Sequence, residues 1–168
     1  NNNLVANDHG IFNVTSDINV VWPKAKIVPI LIGQNVTFDQ MSGLISKIEN
    51  SCNLDCLLVT SVDFSHYLPY KLANIHDQNS IITLVNMDLT STKQIEVDSP
   101  QSIYVLINYA KYQKADIFKL YAHTNSAQLV GDEDAESTSH VFGWYQRTIG
   151  VKNNKYEVKT FTYAKNIS

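Results

Sequence analysis

A chain of 168 residues, 44% hydrophobic and 17% charged, suits one globular domain that buries its own core, and not a disordered segment. Its formal charge of −3 is spread along the sequence without a Lys/Arg cluster. That argues against nucleic acid or an anionic membrane as the main partner, because both are bound by clustered cations. No apolar run approaches the roughly 20 residues of a membrane helix, and Asn1 to Val5 shows neither the basic nor the apolar part of a secretion signal.

The chain opens Asn1-Asn2-Asn3 and not with Met, so it reads as a trimmed piece of a longer protein. Lys26 to Gly33 (KIVPILIG) is a short apolar β-branched run closed by Gly, the pattern of a buried strand. Thr37-Phe38-Asp39-Gln40 has the capping-box pattern, and the segment to Asn50 sets Met41, Leu44, Ile45 and Ile48 on one helical face. Cys52 and Cys56 bracket the next turn. Their separation along extended chain is too long for a mutual disulfide, so both are expected as thiols, which fits a reducing, cytoplasmic setting. The sequons at Asn13, Asn35 and Asn166 are what an Asn-rich chain yields by chance.

Cys56 to Val62 (CLLVTSV) reads as a second buried strand. The β–α–β order predicts a parallel pair joined by a crossover helix, hence a mixed, mostly parallel sheet with helices on both faces. After the polar break at Asp63 to Tyr67, a helix is predicted from about Tyr70 to Met87, with Leu72, Ile75, Ile82 and Val85 facing inward. Ser99-Pro100 opens another helix, which runs to about Gln113. Three strands are predicted to follow: Ile117 to His123, Val141 to Thr148, and Tyr156 to Tyr163. An acidic turn, Gly131 to Glu136, separates the first two; its spacing does not match an EF-hand loop. With no repeat or linker in view, residues 1–168 read as a single α/β domain.

Ser61-Val62-Asp63-Phe64-Ser65-His66-Tyr67 is the strongest local constellation, at the strand end where open α/β sheets place their ligand crevices. His66 can move a proton near neutral pH while Asp63 orients it or binds substrate. The plainer alternative makes Asp63 a turn cap and His66 an ordinary loop residue. Asp8-His9 is a second carboxylate–imidazole pair, though near a chain end it can be simple terminal polarity. Glu96-Val97-Asp98 offers a third ligand, or acidic residues that complement the helix start after it. His76 beside Asp77 reads as a solvated helix face, and His123, His140 and Asn125-Ser126 as polar strand ends.

In order, these segments resemble the Memo family, the AmmeMemoRadiSam system protein B group. The matching motifs are Asp8-His9-Gly10-Ile11, the strand Ile27 to Gly33 and the stretch Ser61 to Tyr67; Asp77, Ser99-Pro100, Asn125-Ser126 and Ser139 to Tyr145 continue the order. The resemblance implies a fold related to class III extradiol ring-cleaving dioxygenases and an iron or copper ion in the full-length protein. It makes His9 a metal ligand, His66 the acid/base residue and Asp63 its motif partner. Glu96 falls where many members carry a cysteine, which makes it the second metal ligand. The family's His-Ala-Gly segment, which carries a further metal histidine, has no match in this chain. The expectation is therefore a metal-capable pocket lined by His9, Asp63, His66 and Glu96, with non-haem redox or dioxygenase-like chemistry. In this chain, with His9 and Glu96 alone as assigned ligands, little or no bound metal is expected. The alternative is a non-catalytic module that takes a small molecule or peptide in the same cleft. The sequence leaves open whether the protein is an enzyme, its substrate and its oligomeric state.

Overall fold

The computed structural model describes residues 5, 7–52 and 56–148. The predicted strand Tyr156 to Tyr163 lies outside them. The first element is α1 (His9–Val21), capped by the Asp8 carboxylate, which accepts from Ile11 N at 3.0 Å. Next comes α2 (Phe38–Ser51), which carries the anticipated capping box: Thr37 Oγ1 accepts from Gln40 N while Gln40 Oε1 accepts from Thr37 N. The short strand β1 (His66–Leu68) leads into α3 (Tyr70–Asn86), and a 3-10 turn (Ser91–Lys93) precedes α4 (Pro100–Tyr112). The chain then forms β2 (Ile117–Asn125), the single-turn helix α5 (Ser126–Val130), and β3 (Ser137–Gln146).

The sheet has the order β1-β3-β2 and is antiparallel throughout. The molecule is therefore a mixture of helices with a small sheet. The parallel pair expected from residues 26–33 and 56–62 is not formed: both runs lack regular strand pairing. An apolar β-branched run sets a local preference, but a strand exists only where a partner lies about 4.8 Å away to complete the ladder. Val28, Leu31, Leu57 and Val59 of these runs are exposed instead. Cys52 and Cys56 form no disulfide, as expected.

The core joins α3, α4 and one face of the sheet. Phe64, Leu84, Met87, Ile95, Ile103, Ile107 and Ala110 are buried together, with Phe118, Val141 and Tyr145 packed against them. Phe142 and Trp144 alternate with those inward residues of β3 and are exposed on the opposite side. The orientation of α3 departs from its apolar pattern. Leu72, Ile75, Ile82 and Val85, expected to face inward, are all exposed, while Ala73, Asp77, Ser80, Thr83 and Leu84 are buried. The helix turns its small and polar side to the sheet, and the buried Asp77 is tolerated there because Ser65 and His123 bond both its oxygens. Among the described residues no helix is long and apolar enough to cross a membrane.

Candidate metal centre

Residues 61–68 leave an irregular segment, bend at Ser65 and enter β1, so this short stretch is held by its neighbours and not by a strand of its own. Phe64 is buried in the core and forms an isolated bridge to Val97. Its N–H donates to Ser139 O at 3.1 Å, and Ser139 N–H returns a bond to Ser65 O at 3.0 Å. The bridge draws Asp63 and Asp98 into a reciprocal pair. Asp98 N–H donates to Asp63 O at 3.0 Å, and Asp63 N–H donates to the Asp98 carboxylate at 3.1 Å.

This pairing builds the site. Asp63, His66 and Asp98 each present one ligand atom, all within 4.8 Å of one another. His66 Nε2 lies 3.8 Å from Asp63 Oδ2, and His140 Nδ1 lies 3.9 Å from Asp63 Oδ1, so an imidazole flanks each oxygen of that carboxylate. His66 Nδ1 is 3.3 Å from Thr138 Oγ1, which leaves Nε2 turned toward the carboxylates. Thr138 and His140 share one side of β3 by the two-residue period, and His66 pairs with Thr138 across the ladder. Asp98 is exposed by surface area, yet the protein around its carboxyl desolvates it and lifts its pKa above the ordinary carboxylate range. The neighbouring Asp63 charge adds to that rise, against the opposing pull of the Asp63 N–H bond and His66.

Of the residues singled out from sequence, Asp63 and His66 are brought together. His9 is not among them: it is the first residue of α1 and exposed, although Gly10 beside it abuts Ser61, two residues before Asp63. Glu96 is also outside the cluster, because its carboxylate pairs with His76 Nδ1 on α3. Asp98 takes the place expected of Glu96. Glu96 and Asp98 flank Val97 two residues apart, on the same side of an extended segment, so alternation does not separate them; the pairing of Val97 with Phe64 sets Asp98 level with Asp63. Asp77, read as solvated, is instead fully buried and bonded to Ser65 and His123.

Two carboxylates and an imidazole that converge on one volume, open to solvent, can take a divalent cation or transfer a proton. The model of the Memo-like protein family matches residues 7–140, a span that contains every residue of this cluster. No curated protein and no solved structure matches the chain.

Proposed function

Because this chain belongs to the Memo-like protein family, we propose that its activity centres on a divalent metal ion held by Asp63, His66 and Asp98. The convergence of their ligand atoms within 4.8 Å is the observation that carries this reading. Bound ligand atoms around one ion at about 2.1 Å stand roughly 3–4 Å apart, so the cluster needs little rearrangement to close on an ion. Two hard oxygens and one imidazole lack the soft thiolate or thioether donors that select Cu(I), so Fe(II) is the first ion to test among the two metals the family resemblance implies. When bound, the ion would supply the redox or Lewis-acid chemistry of a non-haem centre, and kinship with extradiol dioxygenases belongs to the same proposal. Thr138 holds the His66 ring with Nε2 toward Asp63, where it would be free to ligate. His140, on the far oxygen of Asp63, is the imidazole left to take or give a proton beside the centre. This moves the acid/base role from His66, where the resemblance puts it, to His140. We place the protein in the cytoplasm on the same footing.

Anaerobic titration with Fe(II), and separately with copper, tests the reading. One equivalent of Fe(II) is expected to bind, with affinity lost in His66→Ala and Asp98→Asn. Unaltered binding in both variants, or none in the parent chain, refutes it. A second reading, a non-catalytic pocket for a small ligand or peptide, is favoured by openness: the Asp63 side chain is 50% exposed and that of His66 30%. Binding of a cationic peptide to the metal-free chain, lost in Asp63→Asn, would select it.

A further inference from the structure

Asp77 is the only Asp, Glu, Lys or Arg among the described residues that is buried, and no part of it reaches solvent. It sits in the middle of α3, on the side turned to the sheet. A carboxylate in such a place persists only if its oxygens are saturated with donors. Both are engaged. Oδ1 lies 2.8 Å from Ser65 Oγ and 3.3 Å from Ser65 N, and Oδ2 lies 2.7 Å from His123 Nε2 on β2.

Ser65 is itself fully buried, and its position in the chain is what matters. It follows Phe64, whose neighbour Asp63 is a member of the cluster, and it precedes His66, which is another. Its hydroxyl carries one proton. With Asp77 Oδ1 at 2.8 Å and Ala73 O at 3.3 Å, the shorter contact takes that proton, so Ser65 is docked on α3 through the Asp77 side chain. On the other side its carbonyl is held by Ser139 N–H of β3. Ser65, one of the two residues between the ligands, is thus fixed to a helix and to a strand at once. Bonds beyond the ligands that fix them in place are worth about 10- to 100-fold in metal affinity.

We propose that Asp77 is a positioning residue for the Asp63–His66–Asp98 cluster, acting through Ser65 and braced from behind by His123. The proposal rests on the metal reading for one of its two readouts and is independent of it for the other. The first is anaerobic Fe(II) affinity. Asp77→Ala, which acts one residue further out than a direct partner of a ligand, lowers it by the low end of that range, about 10-fold. Asp77→Asn recovers most of the loss, because its oxygen still faces Ser65 while its amide donates to His123 in the other tautomer. Ser65→Ala, which leaves the Ser65 N–H bond, gives an intermediate loss. Leu84→Ala, a core truncation on the same helix, lowers stability but leaves affinity within about twofold of the parent.

The second readout is the order of the His66 ring, measured by relaxation of its 13Cε1–1H group in the metal-free chain. The ring is expected to be rigid in the parent and Asp77→Asn, and loosened in Asp77→Ala and Ser65→Ala. If Asp77→Ala does not fold, Ser65→Ala decides by both measures. Equal affinity loss in Asp77→Ala and Leu84→Ala, or an unchanged His66 ring in Ser65→Ala, overturns the proposal. Absence of Fe(II) binding in the parent would count against the metal reading alone, and ring order would still decide the anchor.

Discussion

Replacing Asp98 by Asn should stabilise the metal-free protein while disabling the metal centre. The carboxylates of Asp63 and Asp98 present oxygens within 4.8 Å of each other. Two unit charges at that distance repel by about 0.9 kcal/mol in the dielectric of water and about 3.5 kcal/mol at an effective dielectric of 20. Asp98 is exposed and Asp63 half-exposed, which puts the repulsion near the lower figure, roughly 1 kcal/mol. Asn retains the oxygen that accepts from Asp63 N–H, so the reciprocal pairing that shapes the turn is preserved. A gain of about 1 kcal/mol corresponds to a rise of about 2–4 °C in Tm for a domain of this size.

The pH dependence follows from the raised pKa of Asp98. Desolvation of the carboxyl by the protein around it, with the Asp63 charge adding to it, lifts the folded value above the ordinary 3.8, so the folded state holds a proton that the unfolded state has released over the interval between them. The parent therefore loses stability as pH rises through that interval, and the advantage of Asp98→Asn grows from near zero below pH 3.8 to its full size above the folded pKa. Thermal melts from pH 3 to 8 read the stability, and Fe(II) titration at neutral pH reads the loss of binding. A variant less stable than the parent at neutral pH, or a gain already complete at pH 3, would refute the reasoning.

Three further outcomes are expected. A Cβ added at Gly143 would stand 2.4 Å from Phe118 Cζ and 2.8 Å from the Lys119 carbonyl oxygen, and the latter moves only if the β2–β3 ladder opens. Gly143→Ala should therefore cost about 1–3 kcal/mol by urea denaturation, and Phe118→Leu should relieve only part of it. Glu96→Gln and His9→Ala should each leave Fe(II) affinity of this chain within about twofold, because neither residue faces the cluster; a tenfold loss in either would relocate the site. The Ser91 hydroxyl and the backbone N–H groups of Ser91 and Thr90 hold Asp88 below its ordinary value. That contribution is present above pH 3.8 and fades as pH falls through the folded pKa, so Ser91→Ala should flatten the acid limb of the stability curve.

The residues alone determined elements whose signals are local. The capping box at Thr37 and Gln40 and the Pro at the start of α4 fix helix starts through bonds and dihedrals within a few residues. The closeness of Asp63 and His66 along the chain is local as well, although the Phe64–Val97 bridge and Ser139 hold the segment that aims them. The α1 helix carries only a weak local signal, because its cap, Asp8, reads equally as a ligand, and its β-branched and Asn residues are weak helix formers. What only the tertiary structure decided was pairing. Whether residues 26–33 and 56–62 become strands depends on a partner no local pattern supplies. Which carboxylate, Glu96 or Asp98, joins His66 depends on the register of the Phe64–Val97 bridge, and the choice sends Glu96 to His76. Which face of α3 turns inward was decided by tertiary contacts against its apolar pattern: Asp77 is buried on that face, where Ser65 and His123 meet both its oxygens.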